Sequence, residues 1–329
     1  MKVILPVAGF GRRMRPHTWS KPKPLLNIAG KPLLGHVLDR LLPLDIDEIV
    51  FVTGWLGDDI EAYVEANYDF KTHYVEQKEL KGQAHAVYLA KEHLQGPSLI
   101  IFVDTIWEAD LTSMMDRDVD GIIYIKEVED PRRFGIVLEK DGLVTRYVEK
   151  PETCEHHKAT VGMYYVRDSA DLVSAIEYVL DNDIRVKGEY YIANALNVMI
   201  ERGARFVSSP ISVWEDCGKP ETVLHSNRYL LDSGCATSGK YPGSVIVPPV
   251  HIAKGATVEN AVVGPYVTLC SGVTVRNSVI RDSIVEADAT LENVVLDRSL
   301  IGERALLRGS AQQANVGDDV VVDAQERHY

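Results

Sequence analysis

The 329-residue chain contains no run of eighteen apolar residues, so no segment of it reads as a transmembrane helix. Its N-terminus, Met1-Lys2-Val3-Ile4-Leu5-Pro6, is a short apolar strand entering a glycine turn, whereas a signal peptide needs a longer apolar stretch and a small-residue cleavage site. Cysteine is scarce. Cys154, Cys217, Cys235 and Cys270 are scattered without a CxxC pair, which suits reduced thiols in a cytoplasm and gives no metal-site spacing. Cys154-Glu155-His156-His157 matches no standard zinc pattern and reads as an exposed loop. Net positive charge is also lacking: at −13, the chain is poorly suited to a phosphate backbone, which is held through many lysines and arginines. These absences point to a cytoplasmic protein without a membrane or nucleic-acid partner.

One local absence is more specific. No acidic residue precedes Asp39, yet Lys2, Arg12, Arg13, Arg15, Lys21, Lys23 and Lys31 all do. A basic segment on an acidic chain suggests a single anion site. Within it, the first apolar run ends in Val7-Ala8-Gly9-Phe10-Gly11-Arg12-Arg13-Met14-Arg15-Pro16. Glycines after a strand let backbone N–H groups approach an oligophosphate, and arginines add forked hydrogen bonds. The G-x-x-x-x-G-K-[ST] pattern is absent, and Met14 stands where a dinucleotide fingerprint needs a third glycine or alanine. In Ser20-Lys21-Pro22-Lys23-Pro24-Leu25-Leu26, prolines on both sides stiffen the presentation of Lys23.

From residue 1 to about 232, β-rich runs alternate with helical ones. Lys2–Val7, Glu48–Thr53, Lys71–Glu76 and Ser98–Asp104 read as strands, and Leu33–Leu42, Asp58–Asn67 and Gly82–Glu92 as helices. Strands at Gly121–Glu127, Gly135–Glu139, Val144–Glu149 and Val161–Val166 follow, then helices at Ala170–Leu180 and Tyr190–Glu201. This alternation implies an α/β, mostly parallel, Rossmann-like sheet, with ligands at the carboxyl ends of its strands. Residues 233–244 are small and polar and read as a linker. Beyond it, aliphatic residues recur at a spacing of six with slips to five: Ile246, Ile252, Val258, Val263, Leu269, Val275, Ile280, Val285, Leu291, Leu296, Ile301 and Leu307. No helix and no alternating strand has that period, so residues 245–329 read as hexapeptide repeats of a triangular parallel β-solenoid, with a loose tail after about Gly309. Within the repeats only His251 is available as an acyltransferase base.

The stretches Ala8-Gly9-Phe10-Gly11-Arg12-Arg13-Met14-Arg15-Pro16-His17-Thr18 and Pro22-Lys23-Pro24-Leu25-Leu26 resemble the sugar-1-phosphate nucleotidyltransferase (NDP-sugar pyrophosphorylase) family, long form. That resemblance extends over nearly the whole chain and implies a C-terminal left-handed β-helix, Mg²⁺ as cofactor, and a nucleoside triphosphate and a sugar 1-phosphate as substrates. It makes Arg13 the grip on the triphosphate, Lys23 a second phosphate contact, and Asp104 and Asp216 the metal ligands. It puts Ala8, Gly9, Gly11, Arg12, Gln77 and Gly82 at the nucleotide, and Gly135, Glu149, Lys150 and Thr160 at the sugar phosphate. Ala8 replaces a glycine of the family pattern, and Arg12 a small hydroxyl residue. Gln77 suits the donor–acceptor edge of uracil or thymine. UTP and dTTP stay open, with glucose 1-phosphate as the expected acceptor. The alternatives are a guanylyltransferase acting on mannose 1-phosphate and a catalytically silent subunit of the same fold. A homo-oligomer is expected, because solenoids commonly self-associate.

Overall fold

The computed structural model describes residues 1–237 and 239–309 and divides into two compact units, the second starting at Thr237. The first unit carries strands β1 Lys2–Pro6, β2 Asn27–Ile28, β3 Lys31–Pro32, β4 Glu48–Thr53, β5 Thr72–Glu76, β6 Ser98–Ile101, β7 Thr105–Glu108, β8 Gly121–Glu127, β9 Gly135–Lys140, β10 Leu143–Glu149, β11 Lys158–Val166, β12 Phe206–Pro210 and β13 Val213–Asp216. Its helices are α1 Leu33–Leu41, α2 Gly57–Asn67, α3 Gln83–Leu89, α4 Ser169–Asp181, α5 Ile192–Glu201 and α6 Pro220–Leu230. Among the described residues no helix is long and apolar enough to cross a membrane.

Nine strands form the main sheet, in the order β10-β9-β11-β6-β1-β4-β5, with β8 on β11 and β12 on β8. The expected α/β, Rossmann-like arrangement is present, and β6, β1, β4 and β5 run parallel. Helical crossovers account for this, because a chain can re-enter a sheet in the same direction only over a long connection. The other half is mixed. β11 is antiparallel to β6, β8 and β9, and β9 turns into β10 through Asp141 and Gly142, both at positive φ (53° and 79°), as a two-residue hairpin requires. The middle of the sheet is dry: Ile4, Val50, Val52 and Ile100 are fully buried.

At the start of β4, Glu48 is clasped by Lys2 at 2.8 Å, Lys71 at 3.1 Å and His73 Nε2 at 3.0 Å, with His93 at 3.8 Å. Both carboxylate oxygens are already taken by ammonium groups. This Glu-His-His group is therefore a clamp on the strand starts, at the end of the sheet opposite the carboxyl ends of β1, β4 and β5.

Several boundaries differ from those expected, each for a local reason. The strand expected to run to Asp104 ends at Ile101, and the chain turns before resuming as β7, which leaves the main sheet to pair with β13. The helix expected from Tyr190 starts at Ile192, because the Tyr190 N–H bonds Lys81 and its carbonyl accepts from Ala84. The helix expected over Gly82–Glu92 breaks after Leu89 and continues as a 3₁₀ turn at Lys91–His93. The start of the expected linker is helical: Leu231–Cys235 extends α6 as a π-type turn closed by Gly234 at φ 110°.

The second unit is a stack of short parallel strands in three sheets of four, consistent with the expected left-handed β-helix. Registers align Ile246, Val263, Ile280 and Leu296 in one column, Ile252, Leu269, Val285 and Ile301 in a second, and Val258, Val275, Leu291 and Leu307 in the third. All twelve repeat residues therefore occupy equivalent places. The corners are columns too. Gly243, Asn260, Asn277 and Asn293 share positive φ, as do Tyr266, Asp282 and Arg298, and Gly255, Gly272, Asp288 and Arg304. Asparagine, aspartate and glycine tolerate that left-handed conformation best, which explains the small polar residues between the aliphatic ones. The expected loose tail lies outside the described residues.

Leu291 is fully buried, whereas Val295 in the next strand is 79% exposed. Leu291→Ala should destabilise the protein by about 2–5 kcal/mol, and Val295→Ala by about 0.5 kcal/mol or less, measured by urea denaturation.

Candidate active site

A cleft of about 580 Å³ opens where β1, β5 and β6 finish, and all fourteen residues singled out in the sequence line it. Its first wall is the loop after β1. Ala8 is held down because Gly54 at the end of β4 comes so close that a Cβ there would meet the Ala8 carbonyl at 2.7 Å. Gly9 has open space around its Cα, which leaves the backbone approachable from the cleft. Gly11 sits at φ 59°, and Thr18 donates a 3.0 Å hydrogen bond to its carbonyl. That turn starts a 3₁₀ segment, Arg12–Met14, whose Met14 is buried while Arg12 and Arg13 face solvent. The Arg12 guanidinium lies over the Phe10 ring at 5.5 Å. Lys23, in a second 3₁₀ segment, is largely buried and places Nζ 3.8 Å from Asp104 Oδ2.

The two aspartates come from segments that lie side by side. Asp104 lies in the turn between β6 and β7, and Asp216 ends β13 opposite Thr105. The Cys217 N–H bonds the Asp104 carbonyl at 2.9 Å, tying the two segments at the point that matters. The Gly218 N–H holds Asp216 Oδ1 at 2.9 Å. A Cβ on Gly218 would lie 2.8 Å from that oxygen and 3.4 Å from Arg13 Nη2, so guanidinium and carboxylate flank the same glycine. Arg13 and Lys23, near the start of the chain, thus meet Asp104 and Asp216 at one edge of the sheet.

The facing wall is built on β9, β10 and the start of α5. Glu149 opposes Gly135 in the β9–β10 ladder, and Lys150 follows at φ 49°, a strained conformation for a non-glycine residue, with its N–H on the Phe134 carbonyl at 3.0 Å. Lys150 Nζ donates to the Tyr191 hydroxyl at 3.0 Å and lies 3.7 Å from Glu149 Oε1. Burial pushes the Glu149 carboxyl above its usual range despite the nearby ammonium. For Lys150, burial alone would lower the pKa; the Tyr191 hydrogen bond and the surrounding negative charge outweigh it and raise the pKa. Thr160 is buried, with its hydroxyl on the Gly135 carbonyl at 3.3 Å.

At the far end, Gln77 Nε2 donates to the Gly82 carbonyl at 3.3 Å and to His85 Nδ1 at 3.1 Å. Burial, then Lys81, lowers the His85 pKa, and because an amide nitrogen can only donate, His85 Nδ1 is the acceptor. Both amide hydrogens of Gln77 are thereby spent and its Oε1 remains, so it presents an acceptor and not the paired edge anticipated from its side-chain type. Gly82, at φ 114°, fits because a Cβ would meet the Tyr190 backbone at 2.6 Å.

No sequence pattern marked Arg133, Tyr164, Glu189 or Tyr191, which also line the cleft. Tyr147 lines it too, standing two positions before Glu149 on one strand and so sharing its face. Tyr191 had no local signal, because only the tertiary fold brings the start of α5 to Lys150. The Cys154 loop is exposed, as its composition indicated.

Residues 2–233 match the nucleotidyl transferase family, and the chain belongs to it. It is 30% identical over 263 residues, 78% of this chain and 61% of the relative, to bifunctional protein GlmU of Methanocaldococcus jannaschii, so it spans about three fifths of that relative's length. It is 29% identical over 241 residues, 70% of this chain and 97% of the relative, to UTP–glucose-1-phosphate uridylyltransferase AglF of Haloferax volcanii. A solved UDP-glucose pyrophosphorylase with UDP-glucose has the same fold, with a TM-score of 0.62 at 22% identity, covering 70% of this chain and 98% of that one.

The raised pKa of Glu149 means that the folded state binds its proton more tightly than the unfolded chain does. Its ionisation therefore costs stability once the pH rises through the folded pKa, and not below the carboxylate range. Glu149→Gln should raise the thermal midpoint at pH 8 and leave it unchanged near pH 3, as read from melting curves at both values.

Proposed function

We propose that this chain transfers a nucleotidyl group from a pyrimidine nucleoside triphosphate, UTP or dTTP, to a sugar 1-phosphate, with glucose 1-phosphate the expected acceptor, and releases pyrophosphate. The observation carrying this reading is the meeting of Arg13, Lys23, Asp104 and Asp216 at one sheet edge, with Lys150 on the facing wall of the same cleft. Two mutually repelling phosphates must be brought together for this reaction, and the protein's task is to hold them in line and balance the charge that grows.

In this reading, the N–H groups and open backbone at Gly9 and Gly11 receive the triphosphate. Arg13 grips the leaving pyrophosphate, and Lys23 binds phosphate beside Asp104. Lys150, held by Tyr191, orients the acceptor phosphate so that one of its oxygens faces the α-phosphorus. That oxygen forms the new P–O bond as the bond to pyrophosphate breaks. Glu149 and the Gly135 backbone contact the sugar hydroxyls. Gln77 Oε1 accepts from the imide N–H that uracil and thymine share, which leaves the two nucleotides unseparated.

Asp104 and Asp216 suit Mg²⁺. They offer hard carboxylate oxygens from the turn before β7 and the end of its partner β13, Asp104 is half exposed, and substrate phosphates would complete the coordination. When bound, such an ion neutralises charge on the reacting phosphates.

Pyrophosphate release should be detectable with Mg²⁺, UTP or dTTP and a sugar 1-phosphate. Asp104→Asn, Asp216→Asn and Arg13→Ala should each lower turnover by about 10³-fold or more, in line with other phosphoryl-transfer groups. Near-normal turnover in Asp104→Asn would remove the metal assignment.

A further inference from the structure

The floor of the cleft beneath Gly135 holds three buried hydroxyls in a row. Tyr147 Oη lies 2.6 Å from Thr160 Oγ1 and 3.0 Å from Tyr164 Oη, and Thr160 Oγ1 lies 3.3 Å from the Gly135 carbonyl oxygen. Each hydroxyl has one hydrogen, and a carbonyl can only accept. Thr160 must therefore donate to Gly135, Tyr147 to Thr160, and Tyr164 to Tyr147. Every hydrogen of the row points along it, so the row offers a ligand lone pairs only.

The row is also rigid. Asn197 on α5 takes the Tyr147 N–H on Oδ1 and donates from Nδ2 to its carbonyl, both at 2.8 Å. Burial keeps both tyrosines protonated, with Tyr164 pushed up to about 12 and Tyr147 well above its usual value. The ring of Tyr147 occupies the space a side chain at 135 would need: a Cβ there would lie 2.3 Å from its hydroxyl oxygen and 2.4 Å from Cε1. Gly135 and Tyr147 are thus complementary, the one lacking the bulk that the other supplies.

We propose that Tyr147 is the specificity-determining floor of the acceptor subsite: its ring limits the bulk that the sugar can carry against Gly135, and its hydroxyl, through Thr160, positions the Gly135 peptide. This rests on the sugar-1-phosphate reading above. The acceptor it selects is a sugar phosphate that turns a hydroxyl toward this floor, since a hydroxyl donates to lone pairs and is small, whereas the added bulk of an acylamino substituent there would press on the Tyr147 ring.

The test uses the full chain with UTP or dTTP and two acceptors, glucose 1-phosphate and N-acetylglucosamine 1-phosphate, and compares wild type with Tyr147→Phe, Tyr147→Ala and Tyr164→Phe. Tyr147→Phe leaves buried polar partners unpaired and should raise the KM for glucose 1-phosphate by about tenfold, with kcat and the nucleotide KM within about twofold. Tyr164→Phe, which leaves the Tyr147–Thr160–Gly135 part intact, should change that KM by less than Tyr147→Phe does. Tyr147→Ala opens the floor and should shift the kcat/KM ratio toward the N-acetylated acceptor by about tenfold or more, as pocket volume does elsewhere. A role confined to stability would lower the thermal midpoint without this split between acceptor and nucleotide. If wild type turns over glucose 1-phosphate while both Tyr147 variants keep its KM and its acceptor ratio, the inference falls and the function stands. If wild type neither turns over nor binds any sugar 1-phosphate in calorimetry, both fall.

Discussion

Parallel alignment of β6, β1, β4 and β5 is the constraint on which the site depends. Because the four strands run the same way, their carboxyl ends lie along one edge, and the loops that leave them are forced to share that edge. The cations of the β1 loop, the Gln77 segment after β5 and Asp104 after β6 come from positions far apart in the chain, yet each is only a few residues beyond a strand end. The core beneath is dry, so this edge cannot slide without exposing fully buried isoleucines and valines.

The second wall follows a different logic. Antiparallel β9 and β10 bring Gly135 opposite Glu149, and the start of α5 then fixes what the hairpin presents. Tyr191 holds the Lys150 ammonium, and Asn197 holds the backbone of Tyr147. One helix therefore steadies both the charged and the hydroxyl-bearing parts of that wall. Chemistry proposed for such a cleft needs little covalent work from the protein, and rigid placement of charge is what these contacts supply.

The solenoid is legible for a simple reason. Its columns contact only neighbouring coils, so the fold repeats along the sequence and the aliphatic spacing is the structure written out. The N-terminal unit is less transparent. Helix spacing at Leu33–Leu41 and the apolar runs at Lys2–Pro6 and Glu48–Thr53 announce themselves, because each satisfies a local period. The early end of β6 does not, since Phe102 and Val103 are as apolar as the strand before them and the turn is set by the pairing of β7 with β13. Nor does the late start of α5, because the Tyr190 backbone is claimed by Lys81 and Ala84, over a hundred residues earlier.

The sequence by itself determined the two architectures and the residue types at the cleft: glycines followed by arginines after the first strand, a lysine between prolines, acids beside strand ends, and an aliphatic residue every sixth position. These are local features, governed by backbone geometry and side-chain chemistry. Tertiary structure alone decided which of them face one another and what remains free to act. It spent the Gln77 amide hydrogens on Gly82 and His85, committed the Thr160 hydroxyl to Gly135, and placed Tyr147 beneath that glycine. Such outcomes depend on hydrogen-bond partners contributed by distant segments, and no local pattern records them.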